Sequence, residues 1–285
     1  MGRFPTLDIS EKDTAGVSFL YHTAPGRCLL RLLICPGVSR ALGAFLDTGL
    51  SRHLVDPFVK HTKLDLSDYP AVFYRSFNDF FTRRVRPGCR AFEENPASLI
   101  APCDGKLTAY TITEDAVFSI KHSSYALKDL LQDASLAKEF EGGTCLIFRL
   151  TPDDFHRYSF PDDGRILSSK AIPGVLHTVR PIAFRRYPVY LENAREYAVL
   201  ETAHFGKVVQ MEVGALFVGR IVNHPLTGFA RGQEKGKFEF GGSTVIVLLQ
   251  KGEAAIDNEI LENTRQNKES IVRLGVAIGR KGAEQ

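Results

Sequence analysis

Tryptophan is absent from the 285 residues, and the abundant phenylalanine favours no particular function. Cysteine is scarce: Cys28, Cys35, Cys89, Cys103 and Cys145 form no C-x-x-C pair and are odd in number. That argues against a disulfide framework or a zinc ribbon and fits a reducing compartment better. No run approaches the roughly 18 apolar residues that a spanning helix needs. No apolar stretch follows the first residues as in a secretory signal, and MGRFPT meets the N-myristoylation pattern only loosely, with Gly2 and Thr6 in place. A formal charge of +3 is too mild to argue for nucleic acid. No Gly-rich loop runs into Lys-Ser/Thr and a helix, no G-x-S-x-G elbow occurs, and His156, His177 and the nearby Asp residues lack metal-ligand spacing. What remains is a chain of ordinary globular composition, 44% hydrophobic and 24% charged, which excludes wholesale disorder and fibrous classes. Its length suits one large domain or a core with an appendage.

Residues 27–60 read as one or two helices. Leu29, Leu30, Leu32, Leu33 and Ile34 form a dense apolar patch flanked by Arg27, Arg31 and Arg40, and Pro36-Gly37 breaks the pattern. Helices packed on a core are the plainer reading, and an Arg-flanked helix lying in a bilayer interface is the functional one. The segment 75–90, RSFNDFFTRRVRPGCR, is basic and aromatic together. It reads as an amphipathic helix with a buried Phe face and a solvated Arg face, or as a contact for an anionic headgroup or stacked bases. From residue 99 short Val-, Ile- and Phe-rich runs alternate with Gly, Pro and Asp clusters. The pattern predicts strands at 107–112, 116–120, 144–150, 196–202, 206–213, 215–222 and 244–249, with helices near 125–132 and 256–264. Few strand pairs enclose a helix, so the expected fold is α+β: a mainly antiparallel β domain with N-terminal and peripheral helices.

Three segments carry residues suited to chemistry. Ala101-Pro102-Cys103-Asp104-Gly105 precedes a strand, and Asp-Gly alone reads as a turn. Thr151 to Pro161 places His156 between Asp154 and Arg157 at a strand end. The histidine is a candidate acid or base, or simply a surface residue with a local ion pair. Phe238-Glu239-Phe240-Gly241-Gly242-Ser243 leads into the strand at 244. A glycine bulge explains it, and so does self-cleavage. Gly242 lacks a Cβ, so the backbone can expose its carbonyl to the Ser243 hydroxyl. Attack gives an ester, β-elimination gives dehydroalanine, and hydrolysis leaves a pyruvoyl group.

Taken in order, the stretches SFNDFFTRRVRPG, APCDGKL, IKHSSYALKDLL, DFHR, VGALFVGRI, EKGKFEFGGSTVIVLL and ILENT resemble the phosphatidylserine decarboxylase family, most closely its short bacterial branch. The likeness runs from about Leu20 to Gly279. It implies a proenzyme cut between Gly242 and Ser243 into 1–242 and 243–285, with a covalent pyruvoyl group made from Ser243 and no metal. That group takes the amine of phosphatidylserine and acts as an electron sink while carbon dioxide leaves, giving phosphatidylethanolamine. Ser243, Asp104 and His156 fall on the family's catalytic positions, with His156 as proton donor, and Asp154, Ser159 and His177 are auxiliary candidates. One departure stands out. The family's second histidine, the self-cleavage base of an HRxH pattern, is replaced by Ser159, whose hydroxyl does not relay a proton at neutral pH as imidazole does. His156 serving both steps, His177 filling the gap, or a lipid-binding relative that does not mature are the alternatives. Pyruvoyl chemistry on a soluble amino acid is a further one. The resemblance also implies residues 1–70 as a membrane-associating helical segment, 71–285 as the decarboxylase domain, an anionic membrane surface at the cytoplasmic face as partner, and a homodimer.

Overall fold

Val245 to Leu249 are five aliphatic residues in succession, and such a run buries both of its faces only inside a sheet. The computed structural model, which describes residues 2–9, 14–120, 123–216, 220–239 and 243–282, places them there. The strands are, in chain order, β1 (Thr6–Asp8), β2 (Ser98–Ile100), β3 (Gly105–Thr111), β4 (Val117–Ile120), β5 (Ser123–Ala126), β6 (Thr144–Leu150), β7 (Arg157–Ser159), β8 (Gly164–Ile172), β9 (Arg195–Thr202), β10 (Lys207–Val213), β11 (Ile221–Asn223), β12 (Gly228–Phe229), β13 (Glu234–Phe238), β14 (Ser243–Leu249), β15 (Ala254–Ile256), β16 (Lys268–Val272) and β17 (Ala277–Lys281). Nine of them form one sheet in the order β1-β16-β3-β6-β14-β10-β9-β8-β12, with every neighbouring pair antiparallel. Two three-stranded sheets, β11-β13-β7 and β15-β17-β2, and the hairpin β4-β5 complete the β structure. The fold is α+β.

Alternation along the central strands divides the core in two. Leu146, Phe148, Val245, Val247 and Val208 pack on one face with Phe160, Phe205 and Phe238. Ile147, Ile246, Leu248, Val209 and Met211 pack on the other with Tyr125, Leu130 and Phe140. Burying each such aliphatic side chain contributes about 1.5–3 kcal/mol.

The first helices are α1 (Ala15–His22), α2 (Ala24–Leu33), α3 (Pro36–Leu46) and α4 (Val55–Thr62), with a 3-10 turn at Gly49–Leu54. Thr23 caps α2 by accepting the Gly26 N–H, and Pro36 opens α3, where its missing N–H costs nothing. The chain bends by 66° between α2 and α3, and among the described residues no single helix is long and apolar enough to cross a membrane. Next comes α5 (Phe77–Phe81), one short turn capped by Ser76 with Phe77, Phe80 and Phe81 all buried. The arginines after it are not one solvated face. Arg83 is buried with its guanidinium over the Tyr69 and Phe80 rings, and Arg90 is buried in ion pairs, while Arg84 faces solvent.

The helix expected near 125–132 is α6 (Leu127–Leu131), followed by α7 (Ala134–Lys138). The short α8 (Pro181–Phe184) and α9 (Val189–Glu192) precede β9, and α10 (Asn258–Arg265) fills the helix expected at 256–264. The strand expected at 215–222 does not form as one piece. β10 stops at Val213, the Gly214 carbonyl is held by the Asn193 side chain, and pairing resumes only at β11, while residues 217–219 lie outside the described residues. Strand β8, GRILSSKAI, has no run of apolar residues to announce it and lies toward the sheet's edge with much of its length exposed.

Candidate active site

Sheet register brings the three singled-out segments to one end. Ser243 opens β14 opposite Leu150, the last residue of β6. β3 pairs Lys106 with Arg149, so Gly105 stands one step on, beside Leu150. Asp104, the 151–159 loop and Ser243 therefore share the same sheet end. A side chain at Gly105 would come within 3.1 Å of the Arg149 carbonyl, which explains the glycine after Asp104.

Ser243 is fully buried, and its Oγ has no hydrogen-bond partner among the described residues. A buried hydroxyl without a partner is costly. Gly241 and Gly242, the expected cleavage site, lie outside the described residues. Both oxygens of Asp104 are engaged. Oδ1 accepts from Arg90 Nε at 3.2 Å and from the Leu274 N–H at 2.8 Å, and Oδ2 accepts from Arg90 Nη2 at 2.7 Å. Ser159 lies on β7 against the Asp104 segment, its N–H 2.8 Å and its hydroxyl 3.3 Å from the Pro102 carbonyl. Cys103 is a fully buried core residue, its thiol pushed well up by burial and then by Asp104.

His156 is not a surface residue. It is completely buried with its ring 4.2 Å from that of Phe81. Its partner is not the Asp154 carboxylate but the Asp154 carbonyl, 2.9 Å from Nδ1. A carbonyl only accepts, so Nδ1 carries the proton and Nε2 presents a lone pair; that Nε2 has no partner among the described residues. Burial lowers the imidazole pKa to about 3, with nearby Arg83 and Lys106 acting in the same direction. The resting ring is therefore a neutral proton acceptor. The Asp154 carboxylate instead takes Lys106 at 2.6 Å and the Thr151 N–H at 2.6 Å; burial raises its pKa and Lys106 opposes the rise.

His177 belongs to a different cluster. Nδ1 lies 3.2 Å from the Tyr21 hydroxyl, Nε2 lies 3.3 Å from Glu192, and the ring stacks on Tyr187. Burial lowers its pKa to about 4.

Sequence reading missed two buried polar residues on the Ser243 face. Along β10, Gln210 and Glu212 alternate with Val209, Met211 and Val213, which belong to the core on the opposite side of the sheet. Gln210 and Glu212 therefore lie on the face of Ser243 and Val245. Both are fully buried, and each keeps one oxygen without a partner among the described residues. The signal was present: polar residues two apart inside VVQMEV cannot face solvent from a central strand. Beside the site a cleft of about 480 Å³ opens, lined by Arg84, Arg86, Arg90, Arg157, Phe155 and Ser159 among others. No cluster of His, Cys, Asp and Glu able to hold a metal occurs among the described residues.

A sequence model of the phosphatidylserine decarboxylase family matches residues 77–280. The chain is 46% identical over 264 residues to phosphatidylserine decarboxylase proenzyme 2 of Clostridium acetobutylicum, covering 92% of this chain and 91% of that one. It is 38% identical over 267 residues to the phosphatidylserine decarboxylase proenzyme of Ruminiclostridium cellulolyticum, with 91% and 89% covered. A third proenzyme of that name, from Desulfitobacterium hafniense, is 38% identical over 270 residues, with 92% and 91% covered. By these likenesses the chain is of the decarboxylase class. The chain belongs to the phosphatidylserine decarboxylase family.

Proposed function

We propose that the chain is a proenzyme that cuts itself between Gly242 and Ser243 and then decarboxylates phosphatidylserine to phosphatidylethanolamine, a carboxy-lyase reaction. The observation that carries the reading is Ser243: a fully buried hydroxyl without a partner among the described residues, at the head of the central strand, on a sheet end that also carries Asp104 and His156. A pyruvoyl group made from Ser243 fits there, because the orphaned Oγ is consumed in making it and the orphaned His156 Nε2 remains for the substrate. When formed, that group supplies the electron sink for loss of carbon dioxide.

The chain's own residues then manage charge and protons. A substrate ammonium must lose a proton before it reacts, and the neutral Nε2 of His156 accepts it. The Asp154 carbonyl holds the ring in that tautomer through Nδ1. The charged imidazole, disfavoured by burial, returns the proton to the substrate carbon that carbon dioxide leaves. Phe81 and the surrounding core keep water from that carbon. Asp104, fixed by Arg90 and the Leu274 N–H, shapes the turn beside the serine.

The substrate's phosphate suits the arginine-lined cleft, where Arg86 has no ion pair among the described residues and the exposed Arg84 makes only a 3.5 Å contact with Glu234. The apolar side chains Phe19, Leu29, Leu32, Phe45, Leu50 and Phe73 are exposed on or beside the N-terminal helices. Exposed apolar surface flanked by Arg27, Arg31 and Arg52 supports residues 1–70 as a peripheral membrane segment at an anionic bilayer.

The experiment is the intact mass of purified protein before and after borohydride, with phosphatidylserine vesicles assayed in parallel. Two chains, the smaller beginning at residue 243 with a reducible carbonyl, together with phosphatidylethanolamine formation, are expected. A single uncut chain that persists for days overturns the reading.

A further inference from the structure

The self-cleavage proposed above needs a group to take the Ser243 proton, and Ser159 is not one. Most polar groups near the serine are already committed. The Ser159 hydroxyl is on the Pro102 carbonyl, both Asp104 oxygens are on Arg90 and Leu274, and Asp154 is on Lys106 and Thr151. Both ring nitrogens of His177 are on Tyr21 and Glu192.

Glu212 is different. Its carboxylate is fully buried, and both of its partners meet the same oxygen: Lys235 Nζ at 2.5 Å and Asn223 Nδ2 at 3.3 Å both address Oε2. Oε1 has no partner among the described residues. β10 lies directly beside β14. Glu212 stands opposite Val245, which makes Ser243 its diagonal neighbour on the same face. Diagonal neighbours are about 7–8 Å apart at the backbone, within reach of a long side chain. A buried carboxylate oxygen and a buried hydroxyl, each without a partner among the described residues, thus occupy adjacent positions on one face of the sheet.

We propose that Glu212 is the proton acceptor for the Ser243 hydroxyl in self-cleavage, with Lys235 and Asn223 as positioning residues that fix Oε2 and leave Oε1 for the serine. The Ser243 proton passes to Oε1 as Oγ bonds to the carbonyl carbon of Gly242. The peptide C–N bond breaks, and the same proton passes from Glu212 to the Ser243 nitrogen, leaving an ester and a free amine. Loss of the Ser243 Cα proton then expels the Gly242 carboxylate with the Cβ–Oγ electron pair. The resulting dehydroalanine takes up water and releases ammonia, giving the pyruvoyl group. No oxidant or reductant enters.

Proton affinity agrees with the geometry. Burial raises the Glu212 pKa; Lys235 opposes the rise and Glu196, opposite it on β9, adds to it. Gln210 also keeps an oxygen without a partner among the described residues, but an amide oxygen is no base, and His156 is lowered to about 3 and holds a proton less well. The groups facing Glu212 are Lys235 from β13, Asn223 from β11, Glu196 from β9, Tyr158 from β7 and Cys103 from the loop before β3.

The proposal rests on the maturation reading, and the test separates the two. The full chain is made by cell-free translation, and cleavage is timed by intact mass in wild type and in three variants. The double variant Glu212→Gln/Lys235→Met removes the pair without stranding a buried charge. With melting unchanged within a few degrees, it is expected to cleave at least ~100-fold more slowly. Glu212→Asp, which keeps the charge but shortens the reach, is expected to be at least ~10-fold slower, an effect of misplacement. Lys235→Met alone removes the cation that favours the carboxylate, so the midpoint of the pH–cleavage profile should move to higher pH, a shift that a merely structural role would not produce. A folded double variant that matures within a few-fold of wild type overturns the proposal and leaves maturation standing. If the double variant fails to fold, an unmoved midpoint in Lys235→Met overturns it. A wild-type chain that stays whole overturns the maturation reading, and this proposal with it.

Discussion

Two buried ion pairs lie on opposite faces of the main sheet. On one face Arg149 grips Glu269 with two bonds, Nε to Oε1 at 2.8 Å and Nη2 to Oε2 at 2.5 Å, so both carboxylate oxygens are used. On the other, Lys235 and Asn223 crowd onto one oxygen of Glu212 and leave its fellow without a partner among the described residues. The first pair is closed and ties β6 to β16. The second is open, and Ser243 is its diagonal neighbour on the same face of the sheet. Burial alone does not distinguish structure from chemistry, since all four residues are nearly inaccessible. Satisfaction does. An unsatisfied buried polar atom is uncommon and calls for a reason, which a role in chemistry supplies.

The strongest way to sharpen the contrast is to remove the hydroxyl. Ser243→Ala should stay a single folded chain with no carbonyl-reactive terminus and no decarboxylation, read by intact mass and by lipid assay. On the closed side the expected loss is of stability. Arg149→Met strands the Glu269 charge and should cost about 3–5 kcal/mol, measured by chemical denaturation. The double variant Arg149→Met/Glu269→Leu should recover most of it. An Arg149→Met chain that is fully stable yet uncut would break the comparison, because it would give the closed pair the role assigned to the open one.

His156 and His177 extend the contrast to two buried imidazoles. His156→Gln should cleave itself but release carbon dioxide roughly 10²–10⁴-fold more slowly, because the substrate loses its proton carrier. Both histidines also set acid stability. Their folded pKa values, about 3 and about 4, lie below the unfolded value near 6.5. Between those limits the unfolded chain binds more protons than the folded one. Stability is therefore fully present above about pH 6.5 and is lost as pH falls toward 4 and then 3, by about 1.4 kcal/mol per pH unit for each histidine. His177→Phe should remove one of the two slopes and still mature. An uncut His177→Phe chain would instead move that residue into self-cleavage.

Much of this frame was legible in the residues. The short aliphatic run at 245–249, entered through two glycines, read as a buried strand, and alternating runs separated by turn residues pointed to the antiparallel α+β class. Buried polar satisfaction was not legible. The pattern DDFHR reads as a local ion pair, yet Asp154 turns to Lys106, which comes from β3, and offers His156 only its carbonyl. That outcome depends on which strand lies alongside, a long-range fact. The polar strand β8 escaped for a related reason: propensity and pattern report burial, and a strand near the sheet's edge has little. Gln210 and Glu212 were visible as polar residues inside an apolar strand, but only register with β14 places them on the face of Ser243.

The smallest expected effect concerns a region with no buried charge to compare, the apolar skin near the N-terminal helices. Leu50 and Phe73 are 75% and 71% exposed, and the Arg52 guanidinium lies 4.6 Å from the Phe73 ring centroid. Neither side chain is used in the core, and both are available to the lipid interface proposed above. Leu50→Ser with Phe73→Ser should change stability little, since neither side chain leaves a cavity. Sedimentation with phosphatidylserine-containing vesicles should fall by a few-fold, corresponding to the loss of about 0.5–1 kcal/mol of apolar contact. Self-cleavage, which draws on the open pair and not on the skin, should proceed at the wild-type rate. Slowed cleavage with unchanged vesicle binding would show that this surface supports the serine's sheet end from a distance, and the division between a lipid-facing skin and a self-contained cleavage site would fall.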